Sequence, residues 1–298
     1  MTDEKFGVGI GEILWDILPT GKVLGGAPAN FAYHLNSLGI RSFPVSAVGN
    51  DNLGDEIFKS LRDNFLPTEF IQIKSNYRTG TVDVKLDEYG KPVYTIHQNV
   101  AWDNIDFDDQ LFALASKCSA VCFGSLAQRN DASRKTIIEF LSKTPEQAFK
   151  VFDINLRQEY YSEEIIRTCL ESANILKLND DELEIVADLM GYKGEEGELL
   201  ADIQNDFNLE SISYTKGVRG SLLILRDKTS YQETEKVEVA DTVGAGDAFT
   251  AGLVYGLLND LELDQIHQIA NSLAAFVCTK EGATPALSDE ERNRIINI

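Results

Sequence analysis

The run Asp241-Thr242-Val243-Gly244-Ala245-Gly246-Asp247-Ala248-Phe249 holds the residues best suited to chemistry. Two glycines let the backbone turn tightly and approach a ligand. The turn opens into a helix expected over Asp247–Leu258, and free N–H groups at a helix N-terminus form an anion site. A carboxylate within that site repels phosphate, yet it is well placed to take a proton from a hydroxyl. The pattern suits phosphoryl transfer by positioning and electrostatic stabilisation. A hydroxyl would sit at Asp247 and a phosphoryl group over the N–H groups of Gly244, Ala245 and Gly246. The same residues also read as an acidic helix start after a glycine turn, worth about 0.5–2 kcal/mol as a cap.

Other groups could serve the same chemistry. Asn179 and Glu182 follow the apolar stretch Ile175–Leu178. Mg²⁺ takes oxygen ligands and keeps several waters, so one amide and one carboxylate suffice beside phosphates. The pair also fits a capping box. Thr215-Lys216-Gly217-Val218-Arg219-Gly220 ends another expected strand, either as a plain turn or with Lys216 or Arg219 beside a phosphate. An acceptor needs short polar groups and exclusion of water. Asp16 stands where the first strand leaves the core, and Gly26, after Gly25, lets the backbone come close. Asn30 lies in an otherwise apolar helix start and can donate and accept. In Asp153-Ile154-Asn155-Leu156-Arg157, Arg157 suits a ligand carboxylate, a phosphate or a neighbouring Asp.

The elements that must position these residues alternate strand and helix. Phe6–Ile17 reads as one strand running out of the core, Gly26–Leu38 as a helix, and Arg41–Val48 as a strand. From residue 110 the alternation continues, with strands expected at 120–123, 150–154, 175–178 and 211–215. Helices are expected after Asp264 and, separately, over Ile269–Thr279. This is an α/β pattern with a mostly parallel sheet covered on both faces, and such sheets bind ligands at the carboxyl ends of their strands. One insertion differs. Residues 79–86 and 92–96 alternate polar and apolar about a turn at Asp87-Glu88-Tyr89-Gly90, as in a hairpin. A small sheet built from about 12–24 and 69–100 would form a lid carrying Tyr94 and His97. The whole chain, 1–298, reads as a single domain.

Composition narrows the function class. With 27 Lys+Arg and 48 Asp+Glu the net charge is −21, which disfavours nucleic acid and anionic membranes as partners. No run approaches the roughly 20 apolar residues of a membrane span. Met1-Thr2-Asp3-Glu4-Lys5 lacks the pattern of a signal peptide, so cytoplasm is the expected compartment. Cys118, Cys122, Cys169 and Cys278 complete no zinc set and read as reduced, mostly buried thiols.

The run at 241–247 resembles the second signature of the ribokinase/PfkB family of sugar and nucleoside kinases. Gly25-Gly26-Ala27-Pro28-Ala29-Asn30-Phe31-Ala32, followed by Gly39, Gly49, Asp51 and Gly54, resembles the first. The resemblance covers essentially the whole chain. It implies a ribokinase-like three-layer α/β/α core with a small β-sheet lid, and Asp247 as general base with Gly244, Ala245 and Gly246 as anion hole. It further implies ATP bound near Asn179, Thr215, Lys216, Gly217, Gly220, Gly246 and Asn271, and Mg²⁺ tied to Asn179 and Glu182. A monovalent cation such as K⁺ is implied at Asp241, Val243, Val277 and Gly282. The acceptor sugar is implied at Asp16, Gly26 and Asn30, with Asn155 and Arg157 in an element resembling that of fructose or ketodeoxygluconate kinases. A homodimer formed through the lid is implied as well. Gly124-Ser125-Leu126-Ala127, Val100-Ala101-Trp102-Asp103 and the start Gly-Glu-Ile-Leu-Trp-Asp resemble bacterial fructokinases more than ribokinases, which would carry Lys where Ala27 stands. D-fructose is therefore the expected acceptor. Ketodeoxygluconate, another hexose, ribose, a nucleoside, or a non-catalytic sugar-binding role are the alternatives.

Overall fold

Apolar runs with both faces buried dictate the central layer. Gly7–Ile10 (β1), Ser42–Gly49 (β4) and Ala120–Phe123 (β8) are buried at every position. The computed structural model describes residues 4–86 and 92–297. The expected turn at Asp87-Glu88-Tyr89-Gly90, and Met1-Thr2-Asp3 of the N-terminus, lie outside the described residues. Phe149–Asp153 (β9), Ile175–Asn179 (β10), Ser211–Thr215 (β11), Ser221–Leu225 (β12), Lys228–Gln232 (β13) and Ile71–Lys74 (β5) complete a nine-stranded sheet. Its order is β13-β12-β11-β10-β9-β8-β1-β4-β5, parallel except at β11-β12-β13.

Successive strand residues point to opposite faces. On β8, Val121 and Phe123 join one core cluster, while Ala120 and Cys122 join the other. The first cluster packs beneath Asp109–Ala115 (α3), Asp131–Lys143 (α4), Glu163–Ser172 (α5), Asp180–Met190 (α6) and Glu196–Asp206 (α7). The second packs beneath Ala27–Ser37 (α1), Ala245–Leu258 (α8) and Leu263–Cys278 (α9). The core is therefore three-layered α/β/α. Asn52–Asp63 (α2) and Asp289–Ile296 (α10) flank it. Among the described residues no helix is long and apolar enough to cross a membrane.

A second, four-stranded sheet has the order β3-β2-β6-β7, from Gly21–Gly25 (β3), Leu14–Leu18 (β2), Gly80–Leu86 (β6) and Pro92–Ile96 (β7). Gln158 Nε2 donates to Tyr94 O at 2.7 Å and the Tyr160 Oη hydroxyl donates to Ile96 O at 3.3 Å, which ties β7 to the loop after β9.

Three expectations change. The strand expected over Phe6–Ile17 is two strands, because the chain bends at Gly11 (φ +150°) and β2 crosses to the small sheet. The stretch 71–74 does not belong to the lid; β5 pairs in parallel with β4 at the edge of the main sheet. The two helices expected after Asp264 are one continuous helix, since no Gly or Pro interrupts Leu263–Cys278. The strand order turns at β1, which lies between β8 and β4. Ligands of such sheets bind at the carboxyl ends of the strands beside such a turn in the order.

Candidate active site

Two helix starts meet at this end of the sheet. Helix α8 begins after Gly244, which takes the left-handed conformation at φ +79°. A Cβ at Gly244 would stand 2.5 Å from Ala283 O, so both the conformation and the space require glycine. Ala245 N donates to Thr242 O at 3.3 Å, and the N–H groups of Gly244 and Gly246 find no acceptor among the described residues. Helix α1 begins after Gly26, at φ +122°, where a Cβ would lie 2.4 Å from Glu12 O.

Asp247, in the first turn of α8, meets Asn30 of α1: Asn30 Nδ2 donates to Asp247 Oδ2 at 2.8 Å. Burial, followed by the nearby Asp153 carboxylate, raises Asp247 to about 6, while the Asn30 hydrogen bond, Lys177 and Arg157 pull it down. A carboxylate of that kind is mostly ionised at neutral pH and basic enough to accept a proton.

Beneath this loop lies a buried ion pair absent from the expected site. Lys177 of β10 stands in register with Asp153 of β9, and Lys177 Nζ donates to Asp153 Oδ1 at 2.8 Å. The two are 7% and 3% exposed. Thr250 Oγ1 of α8 donates to Asp153 Oδ2 at 2.9 Å, so the carboxylate is held on both oxygens. A Cβ at Gly246 would be 3.0 Å from Lys177 Nζ, which puts the ammonium directly behind the anion loop. Burial opposes the charge on Lys177, but Asp153, Glu182 and Asp247 more than offset it and raise its pKa. A fixed cation behind free N–H groups favours an anion there.

Glu12, after β1, is a second group the sequence reading missed. Its Oε1 accepts from Ala27 N at 3.3 Å, and its buried Oε2 has no hydrogen-bond partner among the described residues. Burial raises it to about 7, with Arg157 lowering and Asp247 raising it. Asp16 lies on β2, half-buried and raised to about 6 by desolvation, with Arg157 opposing. Its Oδ2 would be 2.7 Å from a Cβ at Gly25. Arg157 is exposed and forms no ion pair among the described residues; its guanidinium donates to Leu156 O. The preceding Asn155 sits at φ +47°, a conformation Asn tolerates better than most residues.

The remaining expected residues fall along the same sheet edge. Asn179 and Glu182 form the capping box of α6: Asn179 Oδ1 accepts from Glu182 N, and Glu182 Oε2 accepts from Asn179 N, both at 2.9 Å. Glu182 Oε1 accepts from Leu156 N at 3.0 Å. Thr215 ends β11; Gly217 and Gly220 turn at φ +53° and +104°. Lys216 is engaged by Glu196, with Nζ to Oε1 at 2.5 Å, and Arg219 pairs with Asp180. Asn271 on α9 accepts from Ser221 Oγ and donates to Gln232 Oε1, both at 3.0 Å. Asp241 accepts from Val243 N at 3.1 Å and from Gly282 N at 3.2 Å, which brings those three together. The Val277 carbonyl is taken by Lys280 N at 3.0 Å, at the end of α9. Among the described residues no group of three His, Cys, Asp or Glu could hold a metal ion. The oxygen donors of Asn179 and Glu182 nonetheless fit the chemistry of a hard divalent ion bound through waters and phosphates. His97 lies on the loop after β7 and pairs with Asp83 at 3.1 Å, while Tyr94 is 53% exposed.

Known proteins resemble this chain over most of its length. The profile of the pfkB family of carbohydrate kinases matches residues 19–290. The chain is 30% identical over 293 residues to a putative sugar kinase of Pyrococcus horikoshii, covering 92% of this chain and 90% of that one. It is 29% identical over 299 residues to a fructokinase of Salmonella typhimurium, covering 93% and 94%. The crystal structure of the Pyrococcus horikoshii sugar kinase superposes with a TM-score of 0.83 over 98% of this chain and all of that one, at 28% identity. A fructokinase of Vibrio cholerae O395 with fructose, ADP and calcium ion bound gives 0.82 over 98% and 99%, at 26% identity.

Proposed function

The chain belongs to the PfkB family of carbohydrate kinases, and we propose that it transfers the γ-phosphoryl group of ATP to the primary hydroxyl of D-fructose, giving fructose 6-phosphate. The observation that carries this reading is the meeting of Asp247, held by Asn30 at 2.8 Å, with the unpartnered N–H groups of Gly244 and Gly246 over Lys177.

In this reading Asp16, Gly26 and Asn30 orient the sugar, with Asn155 and Arg157 at its edge. Asp247 takes the hydroxyl proton. The freed oxygen forms a bond to the γ-phosphorus as the bond to the β-phosphate bridging oxygen breaks, and ADP leaves. Gly244, Ala245 and Gly246 receive the charge that develops on the transferring group, and Lys177 reinforces it from behind. Thr215, Lys216, Gly217, Gly220 and Asn271 line the nucleotide side. Mg²⁺, when bound, would neutralise phosphate charge, and Asn179 and Glu182 are the residues that would hold it. A monovalent cation belongs at the loop of Asp241, Val243, Val277 and Gly282. The small sheet is a lid that keeps water from the donor. The exposed Val93 and Tyr94 of β7 support a homodimer through that lid. The enzyme acts on a free sugar in the cytoplasm, without nucleic acid or membrane.

The second reading is ketodeoxygluconate as acceptor, favoured by the unpaired Arg157 beside Asp16 and Glu12. Phosphorus NMR of the product from fructose and MgATP tests the first reading. A phosphomonoester at C6 is expected. No phosphorylated sugar from fructose, with rapid product from ketodeoxygluconate that is lost in Arg157→Ala, establishes the second.

A further inference from the structure

Asn30 and His34 lie one turn apart on the same face of α1. Asn30 reaches Asp247, whereas His34 reaches the opposite wall of the anion loop. His34 Nε2 is 2.8 Å from Ala283 O. A carbonyl oxygen only accepts, so Nε2 carries the proton. Burial lowers the ring to about 4, which keeps it neutral in this role. Of the atoms outside its own chain neighbours that a Cβ at Gly244 would meet, the same carbonyl oxygen is the nearest, at 2.5 Å. Next to it, Tyr33 donates its hydroxyl proton to Pro285 O at 3.0 Å, and Gly282 N donates to Asp241 Oδ2 at 3.2 Å. The segment 282–285 is thus gripped by α1 on one side and packed against the loop 241–244 on the other.

We propose that His34 is a positioning residue of the phosphoryl-transfer site, fixing the carbonyl wall behind Gly244 to the helix that orients the acceptor. His34 reaches the transferring group only through Ala283 and Gly244. With Asn30 it makes α1 hold both the base and the backing of the anion loop, so the acceptor and donor halves of the site keep one spacing. Small misplacements at such a site cost large factors in rate. The inference rests on the kinase reading for its kinetic part alone; the tether itself can be measured without turnover.

The test compares His34→Phe, which keeps a ring without the donor, with His34→Gln, which restores an N–H. Both are followed by steady-state kinetics, by calorimetric titration with MgATP and by amide hydrogen exchange. In His34→Phe, exchange of the bonded amides of Asp241, Val243, Ala245 and Gly282 should rise roughly tenfold or more. Its kcat should fall roughly ten- to a hundredfold and the KM for ATP should rise, with the KM for sugar within about twofold. His34→Gln should recover most of each change. Parent-like exchange in His34→Phe, or equal losses in both variants, overturns the proposal. Should His34→Phe fail to fold, Tyr33→Phe is the second variant: faster exchange of the Gly282 amide with a smaller loss of kcat supports the tether, and unchanged exchange overturns it. If the parent turns over no sugar, the kinase reading fails while exchange and MgATP binding still decide the role of His34.

Discussion

Asn30 Nδ2 and Asp247 Oδ2 meet at 2.8 Å although 217 positions separate them in the chain. The contact joins the first turn of α1 to the first turn of α8. Both turns follow glycines that no other residue could replace without a clash, Gly26 and Gly244. In the proposed reaction the acceptor side and the phosphoryl side are therefore fixed to each other through Asp247.

Replacing Asp247 removes the proposed proton acceptor and leaves the Gly244–Gly246 backbone in place. Asp247→Asn should lower kcat by about 10²–10⁴. Calorimetric affinity for MgATP should change little, because Gly244, Ala245 and Gly246 offer backbone N–H groups that the substitution does not touch.

The base must be ionised to act, so kcat/KM should fall on the acidic side of about pH 6, the value to which burial raises Asp247. The Asn30 hydrogen bond stabilises the ionised form. Asn30→Ala should therefore move that acidic limb to higher pH. A limb that stays put or moves down in a pH–rate profile of the variant would contradict this assignment.

The same raised pKa has a sign for stability. A carboxyl raised in the folded state from 3.8 to about 6 contributes stability fully present below about pH 4, lost as pH rises through about 6. Asp247→Asn should thus be more stable than the parent at pH 8, by about 2–3 kcal/mol. The gap should close towards pH 4. Denaturant melts at the two pH values check it.

Lys177 and Asp153 form a buried pair, and losing one partner strands the other charge. Lys177→Met should cost about 3–5 kcal/mol in urea unfolding, while Lys177→Met with Asp153→Leu should cost markedly less. Both should lose turnover, since the cation behind Gly246 is gone in each.

Much of this was legible in the residues. Asp247 stood out because a carboxylate follows two glycines at a helix start, and Asn30 because it is polar where its neighbours are apolar. Asn179 and Glu182 were legible as a capping box, which is what their hydrogen bonds form. Lys177 was missed because a lysine in a strand reads as an outward, solvated charge. The available signal was a cation inside Ile175–Leu178, an apolar run that both faces of the sheet bury, with Asp153 closing the strand before it. Glu12 and His34 were hidden for a different reason: their partners are backbone atoms of Ala27 and Ala283, which carry no mark in a sequence. The assignment of 71–74 to the lid failed because a short edge strand has too few residues to show which sheet it joins.

The most direct test is ADP release from MgATP, with and without K⁺, against fructose, ribose, ketodeoxygluconate, glucose, tagatose and adenosine. The account predicts that fructose gives the highest kcat/KM and that Asp247→Asn abolishes nearly all of it. Rapid turnover of another acceptor with fructose inert would contradict the assigned substrate, and undiminished turnover in Asp247→Asn would contradict the mechanism.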